Sequence, residues 1–541
     1  MTTAPVALLA AAPVPCPIQL RDVTPQTRIT FRHTDGSSGR RYIVETVTAG
    51  LATFDYDGDG LIDIYFVNGA PLPGAKADVP PKDALYRNNG DWTFSDVTEQ
   101  AGVGELGFGL GVAAADYDED GDQDLYVSNF GPKVLYRNNG DGTFTDVTRQ
   151  AGVADGEKVG AGACFLDGDA DGDLDLFVAN YVQFTFANHV EVVVDGYPQY
   201  AGPKEYEPEQ STYFRNNGDG TFTDASRASG IADHPGTGMG IVALDYDNDA
   251  DTDIAVLNDV AGNYLFASDG RGRFEEVGLL TGFAYNLDGN EMGSMGVDCG
   301  DYDNDGWLDL FQTAYSGELP ALFRNTGDGA FDDVTRSTGA GVGAFPYVNW
   351  GTGFADFDSD GYRDLFIANG HLQDNVHLYD GTTAYEVRNQ VLRNTGRGKF
   401  VDVSGQCGDG LLPKLSSRGA AIDDLDNDGD LDIVVLNSRR ESTVIRNESP
   451  RAGHWLAVLL RGTRTNRDGV GARVTVVAGD LTLADEVHSG RGYQGHFGTR
   501  LHFGLGPHTR IDRIEVRWIG GRTDVWKDIA VDRLITLTER P

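Results

Sequence analysis

The stretch F-D-Y-D-G-D-G-L-I-D, residues 54–63, sets aspartates at 55, 57, 59 and 63, with Gly60 between the third and the fourth. Four carboxylates this close repel one another at neutral pH, so a chain that keeps them needs something to offset their charge. The spacing D-x-D-x-D-G-x-x-D returns six more times: Asp116, Asp118, Asp120 and Asp124; Asp167, Asp169, Asp171 and Asp175; Asp245, Asp247, Asp249 and Asp253; Asp301, Asp303, Asp305 and Asp309; Asp356, Asp358, Asp360 and Asp364; Asp424, Asp426, Asp428 and Asp432. The fourth copy departs from the rule in one place, with Ala250 where the others carry glycine. Hard oxygen ligands at alternate positions followed by a glycine turn describe a calcium loop, and the pattern predicts up to seven Ca2+ sites. An EF-hand would need a glutamate at the twelfth position, where three copies hold Phe66, Val127 and Val256. An aspartate at the ninth position closes these loops instead.

The flanks decide the fold. L-I-D-I-Y-F-V and Q-D-L-Y-V-S are rich in β-branched and aromatic residues, which predicts strands on either side of each loop. A second signature follows most loops: L-Y-R-N-N-G-D-W-T-F-S-D-V-T from 85, L-Y-R-N-N-G-D-G-T-F-T-D-V-T from 135 and F-R-N-N-G-D-G-T-F-T-D-A-S from 214, with weaker versions at 265, 323 and 392. Asn-Gly and Asp-Gly between short β runs are hairpin turns, so each repeat supplies four strands. Seven such units predict a β-propeller. The seventh unit begins a hairpin at S-T-V-I-R-N-E-S but lacks its last strand, and a matching piece, Q-L-R-D-V-T, lies at the N-terminus. The expected architecture is therefore all-β: a seven-bladed propeller with calcium loops over residues 18–449, closed by an N-terminal strand, with a small C-terminal β domain over 450–541. Residues 1–17 form an N-terminal arm or a trimmed export signal.

Composition agrees with this reading. The 541 residues hold 72 glycines and carry a formal charge of −40, of which the seven loops alone account for 28 aspartates. Much of the acidity is ligand chemistry, and without a basic stripe nucleic acid is excluded as a partner. Cys16, Cys164, Cys299 and Cys407 form no C-x-x-C pair, and Cys164 and Cys299, in apolar strand patterns just before loops, read as buried thiols. No run approaches the length of a membrane span.

The loop and hairpin motifs resemble the FG-GAP/VCBS repeats of integrin-like propellers. N-R-D-G-V-G-A-R-V-T-V, H-S-G-R-G-Y-Q-G-H, L-H-F-G-L-G and I-D-R-I-E-V-R-W resemble the ASPIC/UnbV domain. The pairing is typical of bacterial relatives of cartilage acidic protein 1. One departure is Trp518-Ile519-Gly520-Gly521, where that family usually has W-P-x-G. The resemblance implies two functional classes. One is a calcium-stiffened ligand-binding or interaction protein, secreted or periplasmic. The other is a cytoplasmic, cofactor-free enzyme of natural-product biosynthesis that performs a cyclisation or alkylation.

In either class a small molecule or protein is expected on the face opposite the calcium loops. That face receives the long insertions at 181–212 and 371–390, and loops on rigid scaffolds carry recognition. Around the channel mouth Glu291, Trp350, His371, Asp374 and Arg418 are the candidates. His371 and Arg418 either tie adjacent blades by hydrogen bonds or, with Glu291 or Asp374, work as acid and base. No Ser-His-Asp spacing, phosphate loop, zinc motif or dinucleotide fingerprint accompanies them.

Overall fold

The computed structural model describes residues 16–541 apart from 49, 78 and 452, so the N-terminal arm expected over 1–17 lies almost wholly outside the described residues. Each aspartate loop joins the first two strands of an antiparallel sheet. In sheet one these are Leu51–Phe54 and Asp63–Phe66, continued by the hairpin Ala84–Asn88 and Phe94–Asp96. Among the described residues seven sheets of this kind follow one another, the fourth carrying an extra short strand, Met292–Gly293. The last strand of the seventh sheet is Leu20–Asp22, which pairs antiparallel with Thr443–Asn447, so that Leu20 lies opposite Asn447. No helix among the described residues is long and apolar enough to cross a membrane.

Strand side chains alternate between faces, and here both faces are buried. In sheet one, Ile64 and Phe66 pack with Ile433 and Val435 of sheet seven, while Tyr65 and Val67 pack with Val112 and Leu125 of sheet two. The sheets therefore stack face to face, which explains why their inner strands are apolar throughout. Each first strand packs against the first strands of the sheets before and after it, and that of sheet one packs against that of sheet seven.

The first strands converge on seven glycines that stand five residues before each loop: Gly50, Gly111, Gly162, Gly240, Gly296, Gly351 and Gly419. A Cβ on Gly111 would lie 2.2 Å from the Ala161 carbonyl oxygen, one on Gly240 2.3 Å from that of Met295, and one on Gly296 2.2 Å from that of Trp350. Backbone meets backbone around the axis, and no other residue fits. At the outer edge a second device ties the sheets. The Asn138 side-chain amide donates to the Tyr56 carbonyl in the preceding sheet, Asn216 to Tyr117, Asn325 to Tyr246, Asn394 to Tyr302 and Asn447 to Phe357, at 2.7–3.0 Å. Asn88 of sheet one donates to Leu425 of sheet seven at 2.8 Å. Sheet four has Ser268 at this position, and there the Gly272 N–H reaches the Gly168 carbonyl instead.

The C-terminal region forms two further sheets. One has the order Leu501–Gly506, His454–Arg461, Arg533–Thr538, the last pair parallel; the other holds Leu481–Glu486, Arg473–Ala478, Arg510–Arg517 and Thr523–Ala530. It is not an appendage. Its segment 488–498 runs along the axis and touches all seven first strands. Thr53 donates to the His496 carbonyl (3.0 Å), Val112 to Gln494 (3.1 Å) and Val297 to Gly492 (3.0 Å). Ser489 bridges to Phe165. His488 bonds the Ala243 carbonyl, the Tyr493 ring lies 5.1 Å from the Trp350 ring, and Gly498 donates to Asp423. The fully buried Arg491 guanidinium pairs with Asp298 at 2.6 Å.

Because the axial glycines are held by space rather than by a left-handed backbone, Gly296→Ala should destabilise the protein by at least about 2 kcal/mol, as overpacking of a rigid site does. Chemical denaturation measures this, and a near-neutral result would mean the strands part more easily than their contacts imply.

Candidate metal centres and the opposite face

All seven loops share one geometry. The first aspartate accepts the N–H of the sixth residue at 2.7–3.1 Å, from Gly60 to Asp55 through to Gly429 to Asp424. The ninth accepts two backbone N–H groups, as Asp63 does from Tyr56 (3.1 Å) and from Asn88 (2.7 Å), which pins the loop to the third strand. The fourth and sixth residues are left-handed. Ala250 takes φ +74°, so the fourth loop reaches the same left-handed turn without glycine, at a cost of about 1–2 kcal/mol.

Carboxylate oxygens cluster within 4.8 Å of one another in Asp55, Asp57 and Asp63, in Asp116, Asp118 and Asp124, in Asp167, Asp169 and Asp171, in Asp245, Asp247 and Asp249, and in Asp301, Asp303 and Asp309. Arginines from the third strands take the outer oxygens. Arg324 holds Asp303 (2.9 Å) and Asp305 (3.0 Å), Arg393 holds Asp358 (2.7 Å) and Asp360 (2.8 Å), and Arg87 holds Asp57 (2.7 Å) and Asp59 (2.9 Å). The inner oxygens remain without donors. Asp55, Asp116, Asp118, Asp169, Asp303, Asp358 and Asp426 each keep a buried, unpartnered Oδ1. An acceptor-only oxygen left dry beside other carboxylates fits a hard cation. Without one, burial foremost and the neighbouring carboxylates next push Asp63 and Asp116 up to about 8, and Asp167 and Asp301 up to about 7.

The C-terminal region covers this face. Arg500 pairs with Asp55 (3.3 Å), Arg467 with Asp116 (3.6 Å) and Arg517 with Asp245, while His502 bonds the Gly429 carbonyl (2.8 Å) and Arg363 pairs with Asp485 (2.7 Å). Sequence reasoning missed these contacts, since nothing local marks an arginine as the partner of a loop several hundred residues away.

On the opposite face the five candidates separate. Trp350, His371 and Arg418 meet at one buried point: the Trp350 ring N–H donates to the Gly370 carbonyl (2.6 Å), and Arg418 stacks on the Trp350 ring (4.1 Å) while reaching the Gly370 (3.4 Å) and His371 (3.5 Å) carbonyls. His371 Nδ1 accepts the Gln373 N–H (2.9 Å), and burial, with Arg418 second, lowers its pKa to about 4. Asp374 belongs to a neighbouring polar cluster, paired with Arg41 (2.7 Å) and Arg439 (3.1 Å). Against the pull of burial, these guanidinium groups hold its carboxyl below the usual value. Glu291 stands apart. It pairs with Lys204 (2.7 Å) and lines a pocket of about 480 Å³ with Glu318, Asp333, Arg336 and Phe345.

The FG-GAP-like repeat model matches residues 55–127, 116–178, 195–256, 245–312 and 356–435, and the ASPIC and UnbV model matches 462–541. Cartilage acidic protein 1 of Mus musculus is 25% identical over 504 residues, 91% of this chain and 64% of that protein. The Homo sapiens protein is 25% identical over 484 residues, 87% of this chain and 60% of that protein. The chain thus spans about three fifths of the length of these relatives. Among solved structures, the Agrocybe aegerita lectin that recognises non-reducing terminal N-acetylglucosamine aligns at 18% identity and TM-score 0.37, over 66% of this chain and 79% of its own. The Bacillus licheniformis rhamnogalacturonan lyase PL11 aligns at 14% and 0.37, over 74% and 71%. More than half of the sequence is FG-GAP-like repeat and its end is ASPIC and UnbV, so the chain belongs to the FG-GAP-like repeat proteins that carry this C-terminal region.

Proposed function

We propose that the protein is a closed seven-bladed propeller, stiffened by calcium in its aspartate loops, that serves as an interaction or ligand-binding protein. The observation that carries the calcium reading is the set of buried inner oxygens left without donors. Closure is supported by the Asn88–Leu425 bond and by the pairing of Leu20–Asp22 with Thr443–Asn447. Recognition belongs to the face opposite the loops, because the C-terminal region covers the loop face and the insertions at 181–212 and 371–390 lie on the other. The family is known here by its repeats, and fold alone does not name a ligand.

Calcium analysis of protein dialysed against the free ion, with melting in chelator, tests this. Bound calcium and a Tm lowered by chelator are expected, by mass action. Absence of calcium together with an unchanged Tm would refute the reading.

The fourth loop should bind most weakly. It combines the strained Ala250 with Ala267 and Ser268 where the other units have Arg-Asn, and Arg517 and Arg473 of the C-terminal region already contact Asp245 and Asn248. Asp303→Asn should therefore remove a tightly held ion, and Asp247→Asn only a weak one. Equal losses from both variants would contradict this ranking.

In chelator the carboxyls of Asp63, Asp116 and Asp167, pushed up by burial, titrate near 7 to 8 when folded and near 4 when unfolded. The folded state then binds more protons across that window, so stability of the metal-free protein should fall as pH rises from about 4 to about 8. Calcium should abolish the fall, and Tm measured across this range with and without calcium checks it.

A further inference from the structure

Two cysteines far apart in sequence meet at the seam where the ring is joined. Cys16 precedes the strand Leu20–Asp22, and Cys407 follows the last strand of sheet six, Phe400–Asp402. Their sulfurs lie 3.5 Å apart across 391 residues of chain. The two backbones are already bound together just beyond Cys16. Leu20 donates to the Cys407 carbonyl (2.6 Å), Gly410 donates to the Leu20 carbonyl (2.9 Å), and the Gln19 side-chain amide reaches the carbonyls of Cys16 (3.0 Å) and Gln406 (3.5 Å). Gly408 stands so close that a Cβ on it would lie 2.5 Å from the Leu20 carbonyl oxygen. The thiols are held face to face by contacts that do not depend on sulfur.

The other two cysteines have no such placement. Cys164 is buried in the first strand of sheet three, and Cys299 in that of sheet five, with its sulfur 3.3 Å from His488 Nε2. All four are free thiols in this structure.

We propose that Cys16 and Cys407 are a disulfide-forming pair, a covalent latch that locks the N-terminal strand onto the sixth and seventh sheets. The sulfurs are already 3.5 Å apart, and backbone hydrogen bonds hold their segments in place. The oxidant is a small-molecule disulfide such as glutathione disulfide. Cys16, 8% exposed against 0% for Cys407, is the thiol it reaches. The Cys16 sulfur attacks the disulfide and releases one glutathione; the Cys407 sulfur then attacks the Cys16 sulfur of the mixed disulfide and releases the second. The two thiol protons leave with the two glutathiones, the protein pair is oxidised by two electrons, and glutathione disulfide is reduced by two.

A strand that closes a ring has one vulnerability, which is that it can peel away from its end. A bond at Cys16 removes that route, and cross-links that close long loops constrain the unfolded chain most. The inference stands apart from the calcium reading, because none of its atoms belongs to an aspartate loop.

The test incubates the full chain with glutathione disulfide, quenches with alkylating agent in denaturant, and measures intact mass and cross-linked peptides. The expected result is a chain that carries two alkyl groups where the reduced chain carries four, with a Cys16–Cys407 linked peptide and with Cys164 and Cys299 alkylated. The latch also predicts a higher Tm for oxidised than for reduced wild type, and no such difference in Cys407→Ser or Cys16→Ser. Four alkylated thiols, a glutathione adduct resting on Cys16, a bridge between other cysteines, or a bridge that leaves the Tm unchanged would each overturn it. The wild-type mass measurement decides the linkage even if a serine variant folds poorly.

Discussion

Seven first strands can approach one axis only if nothing projects from them where they meet. The glycine five residues before each aspartate loop meets that condition, and a Cβ at 2.2–2.3 Å from a neighbouring carbonyl at Gly111, Gly240 and Gly296 shows how little room is left. The rest follows from that convergence. Strands this close present bare backbone to the axis, so what fills the axis must also be backbone-rich. The segment G-R-G-Y-Q-G at 490–495 satisfies this, exchanging N–H and C=O groups with first strands as an added edge would. Its one buried charge, Arg491, lies against Asp298. Breaking such a pair from one side leaves an uncompensated buried charge, a defect of several kcal/mol.

The same convergence sets the electrostatics of the loop face. First strands that meet at the axis deliver seven acidic loops to one end of the stacked sheets, a density of carboxylate that would press the sheets apart. Two kinds of positive partner oppose it, and the proposed cations would be a third. Third-strand arginines hold the outer oxygens, C-terminal arginines reach the first aspartates of three loops, and the inner oxygens point at spaces suited to cations. The division has a structural logic. Arginine forks suit the rim, where their long stems stay partly in water, whereas a compact divalent ion suits the dry interior of a nine-residue turn.

How much of this was legible in sequence depended on the range of each interaction. The aspartate spacing and the hairpin turns act within about ten residues and could be read directly, as could the missing strand of the last unit and its counterpart at Q-L-R-D-V-T. The asparagine of R-N was visible as a repeated letter, but its bond to the preceding sheet was not, because hairpin chemistry already explained it. The axial glycines were hidden by the same effect, since glycine before an apolar strand reads as an ordinary turn residue. The axial segment and the cover over the loop face arise from side chains hundreds of residues away, and no local period announces them. Of the residues expected around the channel mouth, Trp350, His371 and Arg418 lie near one another, while Glu291 lies apart and pairs with Lys204.

Burial then separates the candidate residues by what a change would disturb. Trp350, Arg418 and His371 converge on the Gly370 and His371 carbonyls beside the axial Tyr493, between sheets six and seven. A group that satisfies buried carbonyls there cannot be altered without opening the packing around the axis. Asp374 joins the N-terminal segment, through Arg41, to the seventh sheet, through Arg439, and so spans the same seam that Leu20–Asp22 closes in the backbone. Glu291 alone among them lies at a solvent-open pocket and binds only an exposed lysine. The axis and the seam are thus given over to holding the sheets together, whereas side chains at the rim are anchored at one end and free at the other.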